Sequence, residues 1–463
     1  MSRRHVPAVL ALVTGSLVAV PAQAAHATPV QVPCSAADLV KAIETANATP
    51  GADTIRLAQG CTYKLRAPDP VHPGNGLPVI TSKITIDGRG ATIERDGHGK
   101  EVPKFRIIYV DKTGELTLKG TTVRGGYATD CPAFPDAVGI ACGGGISNNG
   151  KMKIIHSRFT GNTSASRLFA QGGGIDSPGR ASISDTEVSG NHVVYDGPNP
   201  EGGAAGGGIS NDGPLTVKRS RLTGNTTTVT PGTQSIAFGS AVISFHGTRI
   251  EDTVISGNRA FAREGIARGA VANGIPEDRG RLVVTGGAVR DNVSDAPQGT
   301  AQGGGIANNS LMTVIGVKIS GNRAVAKDGT ARGGGIRLGP FGTLDLEHSH
   351  LTGNTADAPN GTAQGAGIDN PDGGVLRAEY NEILRNTATA ENGTAQGGGI
   401  YHAEGTLRPG STRLERNTIT HNRAGDGGGI FKASGTLTLD GDVVRDNRPN
   451  NCAPSGAVPG CTG

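Results

Sequence analysis

The sequence predicts an all-β fold: a right-handed, single-stranded parallel β-helix of about twelve coils with a short N-terminal capping helix. Two recurring half-motifs and an unusual composition carry this reading. Gly-Gly-Gly-Ile starts at Gly143, Gly172, Gly206, Gly303, Gly333, Gly397 and Gly427. Gly365 opens a Gly-Ala-Gly-Ile variant, and Gly239 and Gly269 open degenerate copies. The second half-motif, Gly-Asn or a close variant, ends at Asn162, Asn191, Asn225, Asn258, Asn292, Asn322, Asn354, Asn386, Asn422 and Asn447. Successive starts lie 29 to 34 residues apart, so each unit is one coil. The chain holds 75 Gly, 3% aromatic residues and no Trp. Such a chain cannot fill a thick core with rings, but it can fill a narrow one with stacked Ile, Val and Leu.

Within a unit three short extended pieces are expected. They are the Gly-Gly-Gly-Ile segment, an alternating stretch such as Leu215-Thr-Val217 or Leu437-Thr-Leu439, and the run into Gly-Asn, such as Val254-Ile255-Ser256. Period-two alternation puts one set of side chains inward. Strands this short hold only when stacked, each pairing its backbone with the coils above and below at about 4.8 Å. Asn suits the sharp turn because it tolerates a left-handed backbone. Stacked in successive coils, the Asn side chains can bond to one another as a ladder.

The ends of a solenoid need caps. Ser35-Ala-Ala-Asp38 resembles a helix start, with Leu39, Val40, Ile43 and Ala46 on one face and Thr49-Pro-Gly-Ala-Asp53 ending it. Strands follow at Thr54–Leu57 and Thr62–Leu65. Two diverged coils are expected around Ile84-Thr-Ile86 and Leu116-Thr-Leu118. Residues 1–27 read as an export signal, with Arg3 and Arg4 before the apolar stretch Ala8–Val20 and small-x-small sites at Ala22–Ala24 and Ala25–Ala27. The expected divisions are a signal at 1–27, a cap at 28–76, the β-helix at 77–447 and a C-terminal disulfide loop at 448–463. No other stretch is apolar enough to span a membrane. No lipid-attachment Cys or apolar sorting tail is apparent, so a secreted, extracellular monomer is expected.

The formal charge of +4 falls to +2 without Arg3 and Arg4. Its basic residues are scattered, which argues against a nucleic-acid partner. The six Cys suit disulfides in an exported protein. Three pairs local in sequence are expected: Cys34 with Cys61, Cys131 with Cys142 and Cys452 with Cys461. A metal site would need Cys-x-x-Cys spacing that is absent, and no cofactor is expected.

These repeats resemble those of right-handed β-helix proteins exported by actinobacteria, and of the polymorphic outer-membrane proteins. That family is marked by Gly-Gly-Ala-Ile and Phe-x-x-Asn half-motifs, the second present literally as Phe159-Thr-Gly-Asn162. Ala48-Thr-Pro-Gly-Ala-Asp-Thr-Ile55 looks like the opening segment of such proteins and Asn447-Arg-Pro-Asn-Asn-Cys452 like their close. The resemblance spans nearly the whole mature chain and implies fold and export. It implies no particular activity, and no C-terminal autotransporter barrel pattern accompanies it.

The residues offer no convincing catalytic set. Of the segments of polygalacturonase-like β-helices only Gly97-His98-Gly99 occurs, expected in a surface turn. Hydrolysis of a glycosidic bond generally needs two carboxyls about 5–10 Å apart. Asp176 and Asp369 hold equivalent places in their units but lie six coils apart, on the order of 29 Å. Asp295, Asp328, Asp357 and Glu391 recur in one loop and read as solvated turns. His348 and His350, expected on one strand face, lack a third metal ligand. The Gly-rich runs are repeat chemistry, not nucleotide fingerprints. What departs from the repeat is the residue before the Gly triplet: Gln171, Arg268, Gln302, Arg332, Gln364 and Gln396. From Arg268 to Gln396 these form a polar stripe, with Arg268 and Arg332 two coils apart, roughly 10 Å. Arg suits carboxylate recognition, so the stripe is a candidate site for an acidic polysaccharide. The expected function is non-catalytic extracellular or cell-surface interaction. The alternative is a polysaccharide lyase or glycoside hydrolase.

Overall fold

The computed structural model describes residues 29–97, 102–133, 136, 139–230, 232, 234–274, 281–371 and 373–462. The expected export signal and His98 lie outside the described residues. The fold is a parallel β-solenoid of about eleven turns. One helix, α1 (Ala36–Ala48), precedes the coils, capped by Ser35, whose Oγ accepts the Asp38 N–H at 3.3 Å. It buries Leu39, Ile43 and Ala46 against the first strands, closing the end of the core.

Each full coil holds five strand segments rather than the expected three. In one coil they are Ile146–Asn148, Lys151–Ile155, Arg158–Thr160, Thr163–Ser166 and Phe169–Gln171. The first kind stacks into a 12-stranded sheet, here called the motif sheet. The second and third kinds form a 25-stranded long sheet, kinked once per coil. The last two kinds form two nine-stranded sheets, the third and fourth sheets. The two strand types missed in sequence include segments such as Thr300-Ala-Gln302 and Thr355-Ala-Asp357, whose apolar residue is only Ala. Ala170, Ala204, Ala237, Ala267, Ala301 and their successors, with Val193, Tyr195 and Val229, form a second core between the third and fourth sheets. The main core stacks Ile146, Ile175, Ile209, Ile306, Ile336 and Ile368 against Ile154, Phe159 and their equivalents. Each such Ile or Leu contributes roughly 1.5–3 kcal/mol by burial.

Polar ladders hold the corners. Asn162 donates Nδ2–H to Asn191 Oδ1 at 2.9 Å, and the pattern continues through Asn225, Asn258, Asn292, Asn322, Asn354, Asn386 and Asn422 to Asn447 at 2.9–3.0 Å. The same Oδ1 also accepts the backbone N–H of the preceding Asn. A second ladder runs along the kink of the long sheet, where side chains of Ser157, Thr186, Ser220 and Thr253, then Ser349, Asn381, Asn417 and Asp442, accept backbone N–H groups of the neighbouring coil at 2.8–3.3 Å. The kink itself is a left-handed residue, such as His156, Asp185, Arg219 or Tyr380. His348 is one of them, with φ 48°. It therefore leaves the strand, stacks on Tyr380 with ring centroids 5.1 Å apart, and does not share a strand face with His350. His350 instead meets Glu382 at 2.9 Å.

The acids expected to share one loop also separate. Asp295 and Asp357 sit in the third sheet, in register through Val325, and pair with Arg259 and Arg323. Asp328 lies farther along, in a turn, where it accepts from Asn360 Nδ2 at 2.8 Å. Asp328 follows Val325, the last residue of its strand, by three residues, so it cannot align with Asp295 and Asp357. Three disulfides close Cys34 to Cys61, Cys131 to Cys142 and Cys452 to Cys461.

Candidate functional site

Between the fourth sheet and the motif sheet the chain turns a sharp corner. Gly172 makes it in one coil with φ +61°, and a Cβ there would lie 2.7 Å from the Ile175 carbonyl oxygen, so only Gly fits. The residue before this Gly and the residue after the motif Ile both project from the outer side of the corner. Gln171 and Asp176 show it directly, with Nε2 to Oδ1 at 3.1 Å. Repeated coil by coil, the corner becomes a groove along the solenoid.

Strand register orders its two walls. The motif-sheet wall runs Tyr109, Ser147, Asp176, Ser210, Ile243, Ala272, Ala307, Arg337, Asp369, Tyr401 and Phe431. The fourth-sheet wall runs Cys142, Gln171, Ala205, Phe238, Arg268, Gln302, Arg332, Gln364 and Gln396. Residues far apart in sequence thus become neighbours at about 4.8 Å per coil.

The N-terminal end is acidic and closed. Asp176 is fully buried, beside the Cys131–Cys142 bridge. The disulfide removes both thiolates as metal ligands. Burial, then the nearby charge of Asp212, pushes the Asp176 carboxyl up to about 8, against the pull of Arg106, Ser147 and Gln171. Arg106 is also fully buried and donates to Asp130 Oδ1 at 2.8 Å and to Asn75 Oδ1 at 2.9 Å. Burial lowers its basicity. Tyr109 bonds Asp111 and Asn149, and burial with the Asp111 charge raises its phenol to about 12.

The middle is apolar and aromatic. Ala205, Ile243, Ala272 and Ala307 form a cluster against Phe169, Phe238 and Phe245. Beyond it the groove turns basic. Arg268 is half-buried and donates Nε–H to Gln302 Oε1 at 2.8 Å. Burial first, then repulsion from Arg337, draws the Arg268 guanidinium down to about 10. Arg337 itself is buried, and its Nε stands 4.0 Å from an Asp369 oxygen. Gln302 and Gln364 are buried, Arg332 and Gln396 half-buried, and Gln364 Nε2 reaches Gln396 Oε1 at 3.5 Å. The far end holds Tyr401 stacked on Phe431, centroids 5.7 Å apart.

All five stripe residues from Arg268 to Gln396 therefore line one wall, with Arg268 and Arg332 two coils apart. The stripe taken from the sequence missed Arg337 and Phe245, which lie off that wall, and Phe238, which lies on it before the degenerate motif copy at Gly239. The signal for Arg337 was present, since it occupies the place in its unit that Asp176 and Asp369 occupy in theirs. Asp176 and Asp369 stand six coils apart on the opposite wall.

The fold and groove define a class: a parallel β-solenoid with a charged channel along its side. No family model matches the sequence, and no curated protein matches it. Among solved structures, the chain is similar to the A-module of the Azotobacter vinelandii mannuronan C-5 epimerase AlgE6. The TM-score is 0.50 at 14% identity, covering 90% of this chain and 95% of that one. At that identity the similarity is one of fold. Among the described residues no helix is long and apolar enough to cross a membrane.

Proposed function

We propose that this is an exported, monomeric β-helix protein that binds an acidic polysaccharide along the groove without cleaving it. The observation that carries this reading is the charge of the groove between Arg268 and Gln396. Its two walls bring three guanidiniums, of Arg268, Arg332 and Arg337, against one carboxylate, of Asp369. Guanidiniums suit carboxylates because the planar fork donates two parallel hydrogen bonds. Gln302, Gln364 and Gln396 supply amides for hydroxyls between them. The disulfides fit an oxidising compartment, and the motif resemblance to exported β-helix repeats agrees with that address. The fold neighbour, by its name, acts on mannuronan, itself an acidic polysaccharide.

The test is titration calorimetry with mannuronan oligomers and a neutral glucan. Binding to mannuronan alone is expected, weakening with salt. The double variant Arg268→Gln/Arg332→Gln should lose about tenfold or more in affinity, since charged hydrogen bonds contribute roughly 1.5–3 kcal/mol each. Equal affinity of the double variant would remove the stripe from the account.

One observation favours a second reading, a lyase or glycoside hydrolase. Asp212 follows Asn211, in the strand that pairs with Asp176 through Ser210. It is exposed while Asp176 is buried. Two carboxyls held in different environments are the usual arrangement for acid–base work. Reducing-end and unsaturated-product assays on a panel of acidic glycans decide it. Product that disappears in Asp176→Asn would replace binding with catalysis.

A further inference from the structure

We propose that the groove reads an O-acylated acidic sugar unit, its carboxylate on Arg268 and Arg337 and its acyl group against Phe238 and Phe245. This rests on the acidic-polysaccharide reading above and names the substituent that the same site selects.

A distinct cleft of about 140 Å³ opens in the groove where the aromatic stretch meets the basic one. Phe238 and Phe245 form one side, their rings edge-on with centroids 6.1 Å apart. Ala272 and Ala307 also line it, and Arg268, Arg337, Asn273, Asn308 and Asn309 supply its polar lining. A hydrophobic cavity of about 150 Å³ holds benzene, so this cleft takes a substituent and not a polymer segment. The polymer would run on past the cleft along the fourth-sheet wall toward Arg332.

The two sides make opposite demands. Two guanidiniums in one partly dehydrated cleft repel each other, and an anion between them relieves that repulsion. The apolar side penalises a bare hydroxyl, because a hydroxyl buried without a partner is destabilising. A ring hydroxyl turned toward Asn309 could find an acceptor, but one that faces Phe238 and Phe245 has none, so a ring with a free hydroxyl on that side meets the charge requirement and fails the apolar one. An O-acetyl ester placed near the carboxylate meets both. Its methyl covers the Phe edge and its ester carbonyl brings no unpaired donor.

The experiment compares one polyuronate before and after O-acetylation, bound to the full chain and followed by calorimetry. The acetylated form should bind about tenfold tighter, the factor expected for burying one small apolar group. Phe245→Ala should erase that preference while keeping affinity for the unacetylated form. Phe245→Leu, which keeps the apolar wall, should retain it, and circular dichroism confirms that both variants fold. Arg268→Gln should weaken both forms equally. Equal binding of the two polymers by the wild-type chain overturns the acyl preference and leaves the acidic-glycan reading intact. Tighter binding of the acetylated form by Phe245→Ala than of the unacetylated one places the substituent elsewhere and also overturns it. Binding of neither polymer ends both readings.

Discussion

Asn322 sits in the middle of the Asn ladder, and its removal tests how the coils are held together. Its Nδ2 donates to Asn354 Oδ1 at 3.0 Å and to the Val289 carbonyl at 2.9 Å. Its Oδ1 accepts the Asn292 backbone N–H at 3.1 Å and Asn292 Nδ2–H at 2.9 Å. The side chain is fully buried, so water cannot substitute. Asn322→Ala deletes four hydrogen bonds and leaves two buried donors of Asn292 short of an acceptor. Asn354 Oδ1 keeps the backbone N–H of residue 322, so the damage falls on the N-terminal side. At roughly 1–3 kcal/mol per orphaned buried group, the loss should be about 3–5 kcal/mol. In a solenoid that energy belongs to the interfaces between neighbouring coils. Hydrogen exchange should therefore show faster opening in the coils around Asn292 and Asn322, ahead of distant ones, and the urea midpoint should fall. The exposed Asn392, bonded to Asn360 at 3.0 Å, is the control, and Asn392→Ala should shift stability by less than about 0.5 kcal/mol. A loss under about 1 kcal/mol in Asn322→Ala, or uniform exchange along the chain, would refute the claim that the ladder couples the coils.

Two further predictions concern pH. The folded Asp176 carboxyl, raised to about 8, binds a proton that the unfolded chain releases near its ordinary value, so stability should fall as pH rises from about 4 to about 8 and then level off. Asp176→Asn, by keeping the site neutral, should flatten that slope and stabilise the protein above pH 8 by a few kcal/mol in denaturant titrations, since each tenfold change in proton affinity corresponds to about 1.4 kcal/mol; an unchanged slope would show that the carboxyl is not held protonated. His402 is the opposite case. Burial and Lys432 pull it down to about 4, so it stays neutral where an unfolded His gains a proton, and stability should drop as pH falls from about 6.5 to about 4. An NMR titration in which His402 protonates near its ordinary value would contradict this.

The coil was legible because it is written locally. Gly-Gly-Gly-Ile, the alternating run and Gly-Asn each encode a turn or a strand within a few residues, and their recurrence sets the pitch. The same holds for the stripe from Arg268 to Gln396, since equivalent places in successive units must stack. The strands of the third and fourth sheets were not legible. Their inward residue is mostly Ala or a small polar residue such as Ser164 or Ser294, so they lack the apolar contrast by which a strand is read, and they are strands only because the coil beside them supplies partners. His348 and the separated acids failed for a related reason, since one left-handed residue or a few residues of turn change the place at which a side chain emerges.

The sequence by itself determined the repeat, its pitch, the inward Ile positions, the Asn turn positions and the absence of a large aromatic core, all of them properties of a single unit. The tertiary structure alone decided that each coil bends sharply at Gly172 and its equivalents, turning two sheets into the walls of a groove. That bend brings Arg268 within electrostatic reach of Arg337, 69 residues later in the chain, and sets Phe238 and Phe245 beside them. No local pattern encodes such a meeting. It arises because parallel stacking converts a difference of whole coils in sequence into a few ångströms in space.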